Sequence, residues 1–262
     1  MIMPQHTRSF RLWLEHPEQT LMRKVFFQIH LWSGAVMGFY VLLMSLTGSL
    51  LVFRNHLPAA PAVLWVARFH TSLLAGYRGR LINGAAAALL ILISITGLIV
   101  WWPGMKNWRR GVSVNWRARF ARLNWDLHSA LGFWASSLVL LWAISGFYFA
   151  YPDLFNRVAG SLDPRDRYAD QYLAVLASLH FGRFNGATEI IWAIGGLIPA
   201  VLVVTGTFLC CRRAWDWLSL KQPVRKLTRL KGDSTWQMLF DRHKQGTASR
   251  QDDTTMTFHT QD

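Results

Sequence analysis

The stretch Phe27-Gln-Ile-His30-Leu-Trp-Ser-Gly34, followed by an apolar run that closes on Ser45-Leu-Thr-Gly48, decides the fold. No Asp, Glu, Lys or Arg occurs from Val25 to Phe53. At ~1.5 Å of rise per helical residue such a run crosses a hydrocarbon core of ~30 Å. Leu81–Pro103, Leu127–Pro152 and Ile190–Cys211 are equally free of formal charge. These runs predict an all-α membrane protein, a bundle of four transmembrane helices at about 25–53, 81–103, 127–151 and 187–211. The first run is too long for the core of a signal peptide and is expected to stay in the mature chain.

Outside the spans the reading is of two flanking segments. Residues 1–24 mix Phe10, Trp13 and Leu14 with Arg and Glu, the pattern of an amphipathic arm on a membrane surface. Residues 214–262 form a tail that begins with Trp215 and Trp217 and ends in a polar stretch too poor in apolar residues to fold alone. The link Arg54–Phe69, with Pro58 and Pro61, is too short for a folded domain, whereas Tyr168–Leu179 reads as a short helix leading into His180.

A net charge of +14 raises nucleic acid as a partner, but the cations sit beside the membrane. Arg8, Arg11, Arg23 and Lys24 precede the first span, six Lys and Arg follow the second, and ten follow Cys211. The other two loops hold only Arg54, Arg68, Arg78 and Arg80, and Arg157, Arg165, Arg167 and Arg183. The positive-inside rule therefore places both termini in the cytoplasm, with anionic lipid headgroups rather than DNA as the counter-charge. Cys210 and Cys211 are the only cysteines and, being adjacent, read as two reduced thiols.

Each span carries a histidine upstream and a Gly preceded by Ser or Thr downstream: His30 with Thr47-Gly48, His70 with Thr96-Gly97, His128 with Ser145-Gly146, His180 with Thr205-Gly206. The His-to-Gly intervals are 18, 27, 18 and 26 residues. This alternation is that of a duplicated helix pair, with parallel repeats related by an axis along the membrane normal. Helices 1 and 3 run in the same direction, so His30 and His128 are expected to face each other at the cytoplasmic end. His70 and His180 are expected to meet at the opposite end, each about ten residues ahead of its apolar run and compatible with a separate short helix.

A lone histidine at a membrane boundary is ordinarily an interface residue bonded to a carbonyl or headgroup, but imidazole within a bilayer needs a partner. Four in repeat register point to ligation. Two neutral imidazoles from opposite helices are the axial set of a six-coordinate b-type haem, and two such pairs predict two haems. Zinc would require three or four N, S or carboxylate ligands, which neither site offers. Arg54, Arg68, Arg78 and Arg183 outside, and Arg23, Lys24 and Arg122 inside, are candidates for binding haem propionates. His56, just past the first span, is a candidate substitute ligand; His6, His16, His243 and His259 read as solvated. The Ser/Thr-Gly patches and Gly34-x-x-x-Gly38 read as ordinary helix-packing devices. Trp32, Trp134, Trp142 and Trp192 read as packing or interface residues, with cofactor contact as the sharper alternative.

His30-Leu-Trp-Ser-Gly-Ala…Ser45-Leu-Thr-Gly-Ser-Leu-Leu-Val-Phe-Arg54, with Phe69-His…Gly76-Tyr-Arg-Gly…Ile95-Thr-Gly-Leu-Ile-Val-Trp-Trp-Pro103, resembles the PepSY-associated transmembrane family of bacterial inner-membrane proteins, often linked to iron regulation. The resemblance extends over roughly residues 22–213. It implies a haem-carrying membrane reductase, since members include di-haem ferric-siderophore reductases, and by motif it selects His30, His70, His128 and His180 as ligands. The chain departs from the family pattern in having only residues 54–69 where typical members carry a sizeable periplasmic PepSY region.

The functional expectation is electron transfer across the bacterial inner membrane by two b-type haems, ending in reduction of a periplasmic ferric chelate or of a partner. There is no Gly-rich βαβ fingerprint for a dinucleotide, so the donor is a quinol or a separate redox protein. Outer-sphere transfer requires no catalytic acid or base. The competing expectation is a non-catalytic small subunit or scaffold of a larger membrane complex. An iron or haem transporter is disfavoured because the spans hold no ionisable residue besides the histidines.

Overall fold

A computed structural model describes residues 13–15, 17, 20–58, 60–105, 107–162, 169–182 and 184–219. The expected amphipathic arm before residue 13, the tail beyond residue 219, and Arg183, His6, His16, His243 and His259 lie outside the described residues. The chain divides into two compact units at Cys210/Cys211.

Four helices are long and apolar enough to cross a membrane: α1 (Leu21–Leu51), α3 (Gly76–Trp101), α5 (Phe120–Ala150) and α8 (Gly186–Ser219). The chain is an all-α, multi-pass membrane protein. Between the spans lie α2 (Pro61–Ser72), the single turn α4 (Trp108–Gly111), α6 (Pro152–Leu162) and α7 (Ala169–Phe181). The helices start earlier than the uncharged runs. Arg23 and Lys24, Arg78 and Arg80, and Arg122 all occupy first or second turns, where long basic side chains can reach back toward headgroups, and Asp126 is buried against Arg122 at 2.9 Å.

The short link after α1 holds α2, which begins with Pro61 at a position where the missing N–H costs nothing. At its other end, Leu73 (φ 49°) and Leu74 (φ 60°) take left-handed backbone, and Gly76 (φ 57°) completes a reversal into α3. A Cβ on Gly79 would stand 1.7 Å from the Ser72 carbonyl oxygen, so only glycine lets α2 fold down onto the first turn of α3. The second repeat reaches the same result differently. α7 closes through Gly182 (φ 64°) directly against the Trp192 ring, whose Nε1 donates to the Leu179 carbonyl at 2.7 Å. An Asn185/Thr188 capping box then starts α8.

α3 packs between α1 and α5, and the first turns of α8 pack on α1. The interior is made of small side chains, among them Ala86, Ala87, Ala130, Ala143 and Ala150, while Trp32, Phe39, Ile191 and Val204 face outward. That inversion suits a lipid solvent, where close helix approach and hydrogen bonds, not hydrophobic burial, hold spans together. One such bond interrupts α8. Pro199 lacks an N–H, and Ser45 of α1 inserts beside it, donating to the Gly196 carbonyl and accepting the Ala200 N–H at 3.1 Å.

Candidate functional site

The structure brings the four histidines together two by two. His30 on α1 and His128 on α5 present their rings with centroids 6.4 Å apart. At the other end of the bundle, His70 in the last turn of α2 and His180 in the last turn of α7 line one cavity of about 430 Å³. Neither of these two lies on a spanning helix. Burial pushes both imidazoles down to about 4, His180 with a further contribution from nearby His70, so both are neutral at neutral pH and able to ligate.

The hydrogen bonds fix which nitrogen is free. Thr47 Oγ1 lies 2.9 Å from His70 Nδ1, Ser145 Oγ 2.6 Å from His180 Nδ1, and Thr205 Oγ1 3.0 Å from His128 Nδ1. Each hydroxyl has a single proton, and each sends it to a carbonyl of its own helix: Thr47 to Leu43 at 2.7 Å, Ser145 to Leu141 at 2.6 Å, Thr205 to Val201 at 2.8 Å. With that proton on the helix carbonyl, the hydroxyl oxygen accepts and Nδ1 carries the hydrogen. His30 Nδ1 faces the Ile93 carbonyl at 3.0 Å, which can only accept, with Thr96 Oγ1 at 3.5 Å beside it. All four rings are thus held as Nδ1–H tautomers, and none of the four Nε2 atoms has a hydrogen-bond partner among the described residues.

The same contacts show what the Ser/Thr-Gly patches do. Each patch serves the histidine of the other span in its repeat: Thr96-Gly97 receives His30, Thr47-Gly48 receives His70, Thr205-Gly206 receives His128, and Ser145 receives His180. A Cβ on Gly48, Gly97 or Gly206 would stand 3.0 Å from the Cε1 of the ring it faces. These patches are imidazole seats rather than helix–helix contacts. Gly34, by contrast, has nothing within 4 Å, while a Cβ on Gly38 would meet Val203 of α8 at 3.5 Å, so only Gly38 of that pair packs against another span.

The cavity floor is made of small residues, including Gly48, Ala86, Ala87, Ala143 and Gly146, with Trp142 and Trp192 on its walls. Trp32 and Trp134 lie on the outside, 67% and 66% exposed. Ser49 lines the cavity with a buried hydroxyl that has no hydrogen-bond partner. Arg54 and Arg80 also line it, so Arg80 joins a group in which the loop charges had singled out Arg54. Asn83 supports the arrangement, donating to the His70 carbonyl at 2.8 Å while receiving the Tyr40 hydroxyl at 3.1 Å. His56 is committed elsewhere. Its Nε2 stands 2.8 Å from Glu189, an acid in the first turn of α8 that the charge-free run Ile190–Cys211 had left just outside.

Among the described residues no three His, Cys, Asp or Glu side chains converge on one point. The donor set is therefore two imidazoles per site, suited to a group that brings its remaining ligands with it. Spacing agrees: two rings ligating one metal from opposite sides at ~2 Å per bond have centroids roughly 6 Å apart. A cavity of 430 Å³ also falls within the ~300–1,000 Å³ of small-molecule and cofactor sites.

Residues 57–164 match the model of the PepSY-associated TM region. The matched segment spans α2, α3, α4, α5 and α6, and so contains His70 and His128, one member of each pair. The other members, His30 and His180, flank the matched segment on either side and are tied to it by Thr96 and Ser145. No curated protein and no solved structure matches the chain.

Proposed function

We propose that the chain carries electrons across the bacterial inner membrane through two bis-histidine b-type haems, one ligated by His30 and His128 and the other by His70 and His180, and passes them to a ferric chelate or a partner protein. The observation that carries this reading is the common geometry: four imidazoles, each with Nδ1 against a hydroxyl or carbonyl oxygen and Nε2 without a hydrogen-bond partner among the described residues, arranged as two pairs. Ligating histidines generally have their second ring nitrogen bonded in this way, which fixes ring orientation and raises ligand basicity. Bis-imidazole iron porphyrin supplies one-electron chemistry that consumes no proton and needs no open coordination position.

The chain's own residues then have a limited task. Thr47, Thr96, Ser145 and Thr205 hold the rings, the Ala- and Gly-rich walls admit a flat group close to backbone, and the lipid-facing aromatics keep water away. Arg23, Lys24, Arg109, Arg110 and Arg122 cluster at the His30 end, which supports a cytoplasmic position for that pair and an outward position for His70 and His180. A quinol or a separate redox protein is the donor.

The short link before α3 favours a second reading, a subunit without its own substrate domain that hands electrons to, or only stabilises, a larger complex. Dithionite-reduced, detergent-purified protein mixed anaerobically with ferric citrate or a ferric siderophore separates the two. The reductase reading predicts reoxidation of the haem α-band at a rate rising with chelate concentration. Haem that stays reduced with every chelate overturns the reductase reading in favour of the subunit.

A further inference from the structure

The cavity between His70 and His180 is not symmetric, although the helices that build it are repeats. Among the described residues its cations are Arg54, just beyond the end of α1, and Arg80, in the second turn of α3, and both belong to the first repeat. In the register that aligns His30 with His128, Arg54 falls opposite Pro152. In the register that aligns His70 with His180, Arg80 falls opposite Ile190. The second repeat therefore contributes no charge at the equivalent places.

Neither arginine is ion-paired with a carboxylate among the described residues; Arg80 instead lies 5.4 Å from the Tyr77 ring. No Asp or Glu among the described residues lines the cavity. Glu189, the acid in the first turn of α8, is bonded to His56. Two exposed arginines that line a cavity whose other described lining residues carry no formal charge are placed to receive anions, and the planar fork of arginine matches a carboxylate.

We infer that Arg54 and Arg80 form a carboxylate-binding edge for the ligand of the His70/His180 cavity, so that this ligand enters in one orientation, with its acidic groups toward the first repeat. The inference rests on the reading of the cavity as a haem site and deepens it: it selects a porphyrin with free carboxylates and assigns their place. Ser49, whose buried hydroxyl lacks a partner, lines the same cavity and belongs to the same repeat.

The test is an optical titration of the full, haem-depleted chain in detergent with iron protoporphyrin IX and with its dimethyl ester, in wild type and in the double variant Arg54→Gln/Arg80→Gln. Wild type is expected to take up two equivalents of the free acid and to bind the ester about tenfold or more weakly at the His70/His180 site, the loss expected of a charge-assisted contact. In the double variant that discrimination disappears and the free acid binds one site about as weakly as the ester. Added citrate at millimolar concentration leaves the wild-type titration unchanged if the cavity ligand's own carboxylates occupy the edge. Citrate that competes assigns the arginines to a soluble carboxylate and overturns the proposal. Equal binding of acid and ester by wild type also overturns it while leaving the haem reading intact. A wild-type chain that takes up neither porphyrin overturns both. Circular dichroism of the double variant, expected to match wild type, separates loss of the edge from loss of the fold.

Discussion

Thr47 Oγ1 stands 2.9 Å from His70 Nδ1, although one residue lies near the end of α1 and the other on the short helix that follows it. The Thr47 proton is spent on Leu43, so the contact dictates the state of the imidazole and not merely its position. Thr205 with His128 and Ser145 with His180 repeat the relationship, and in His30 a carbonyl takes the leading role. Four independent contacts that all leave Nε2 bare are hard to account for by helix packing, which would be served equally by alanine.

Thr47→Val and Ser145→Ala remove the Nδ1 acceptor while preserving bulk or helix propensity. Each is expected to weaken ligand binding at the His70/His180 site by about 10–100-fold, the usual cost of losing a partner of a ligating histidine. The His30/His128 site is expected to be unaffected, and Thr47→Ser to restore binding. A haem titration followed at the α-band reads all three; equal weakening at both sites would mean a general loss of fold instead.

The glycines give a steric counterpart. Gly97→Ala and Gly206→Ala would each bring a methyl to 3.0 Å from Cε1 of the ring seated there, forcing His30 or His128 to shift by a few tenths of an ångström. Gly146→Ala meets nothing closer than 3.9 Å. The first two are expected to lower occupancy of the His30/His128 site, while Gly146→Ala retains both. Thermal unfolding in detergent should show all three folded, since Gly to Ala within a helix adds roughly 0.5–1 kcal/mol of intrinsic preference.

Ligand-free protein is expected to lose stability in acid. His70 and His180 are held at about 4 in the fold against 6.5 for the free side chain, so the unfolded chain binds more protons between those values. Stability is full above about pH 6.5 and falls as pH drops toward 4. His70→Leu and His180→Leu should each flatten that fall, a difference measurable as melting temperature against pH between 7 and 4.

Much of this was legible in the sequence, for a definite physical reason. Charge-free runs of span length have few alternatives to crossing a bilayer, and the duplicated spacing of His30, His70, His128 and His180 follows the helix repeats. The cross-helix pairing was not legible. Each Ser/Thr-Gly lies downstream of a histidine on its own stretch of chain, but antiparallel neighbours bring it to the histidine of the other span. Short-range geometry hid the rest: α2 begins at Pro61 within an apparent loop, Arg80 reaches the cavity because Gly79 closes the turn beneath Ser72, and Glu189 meets His56 because Asn185 starts α8 there. Such contacts depend on helix rotation and turn conformation, to which charge and hydropathy patterns are blind.

The measurement that tests the two-pair arrangement most directly is the number of haems per chain in purified protein, by pyridine haemochrome, for wild type and for His30→Leu, His70→Leu and the double variant. The account predicts two b-type haems in wild type, one in each single variant and none in the double variant, with wild-type helicity throughout. Colourless wild-type protein after expression with ample haem, or a wild-type haem content unchanged by both substitutions, would contradict it.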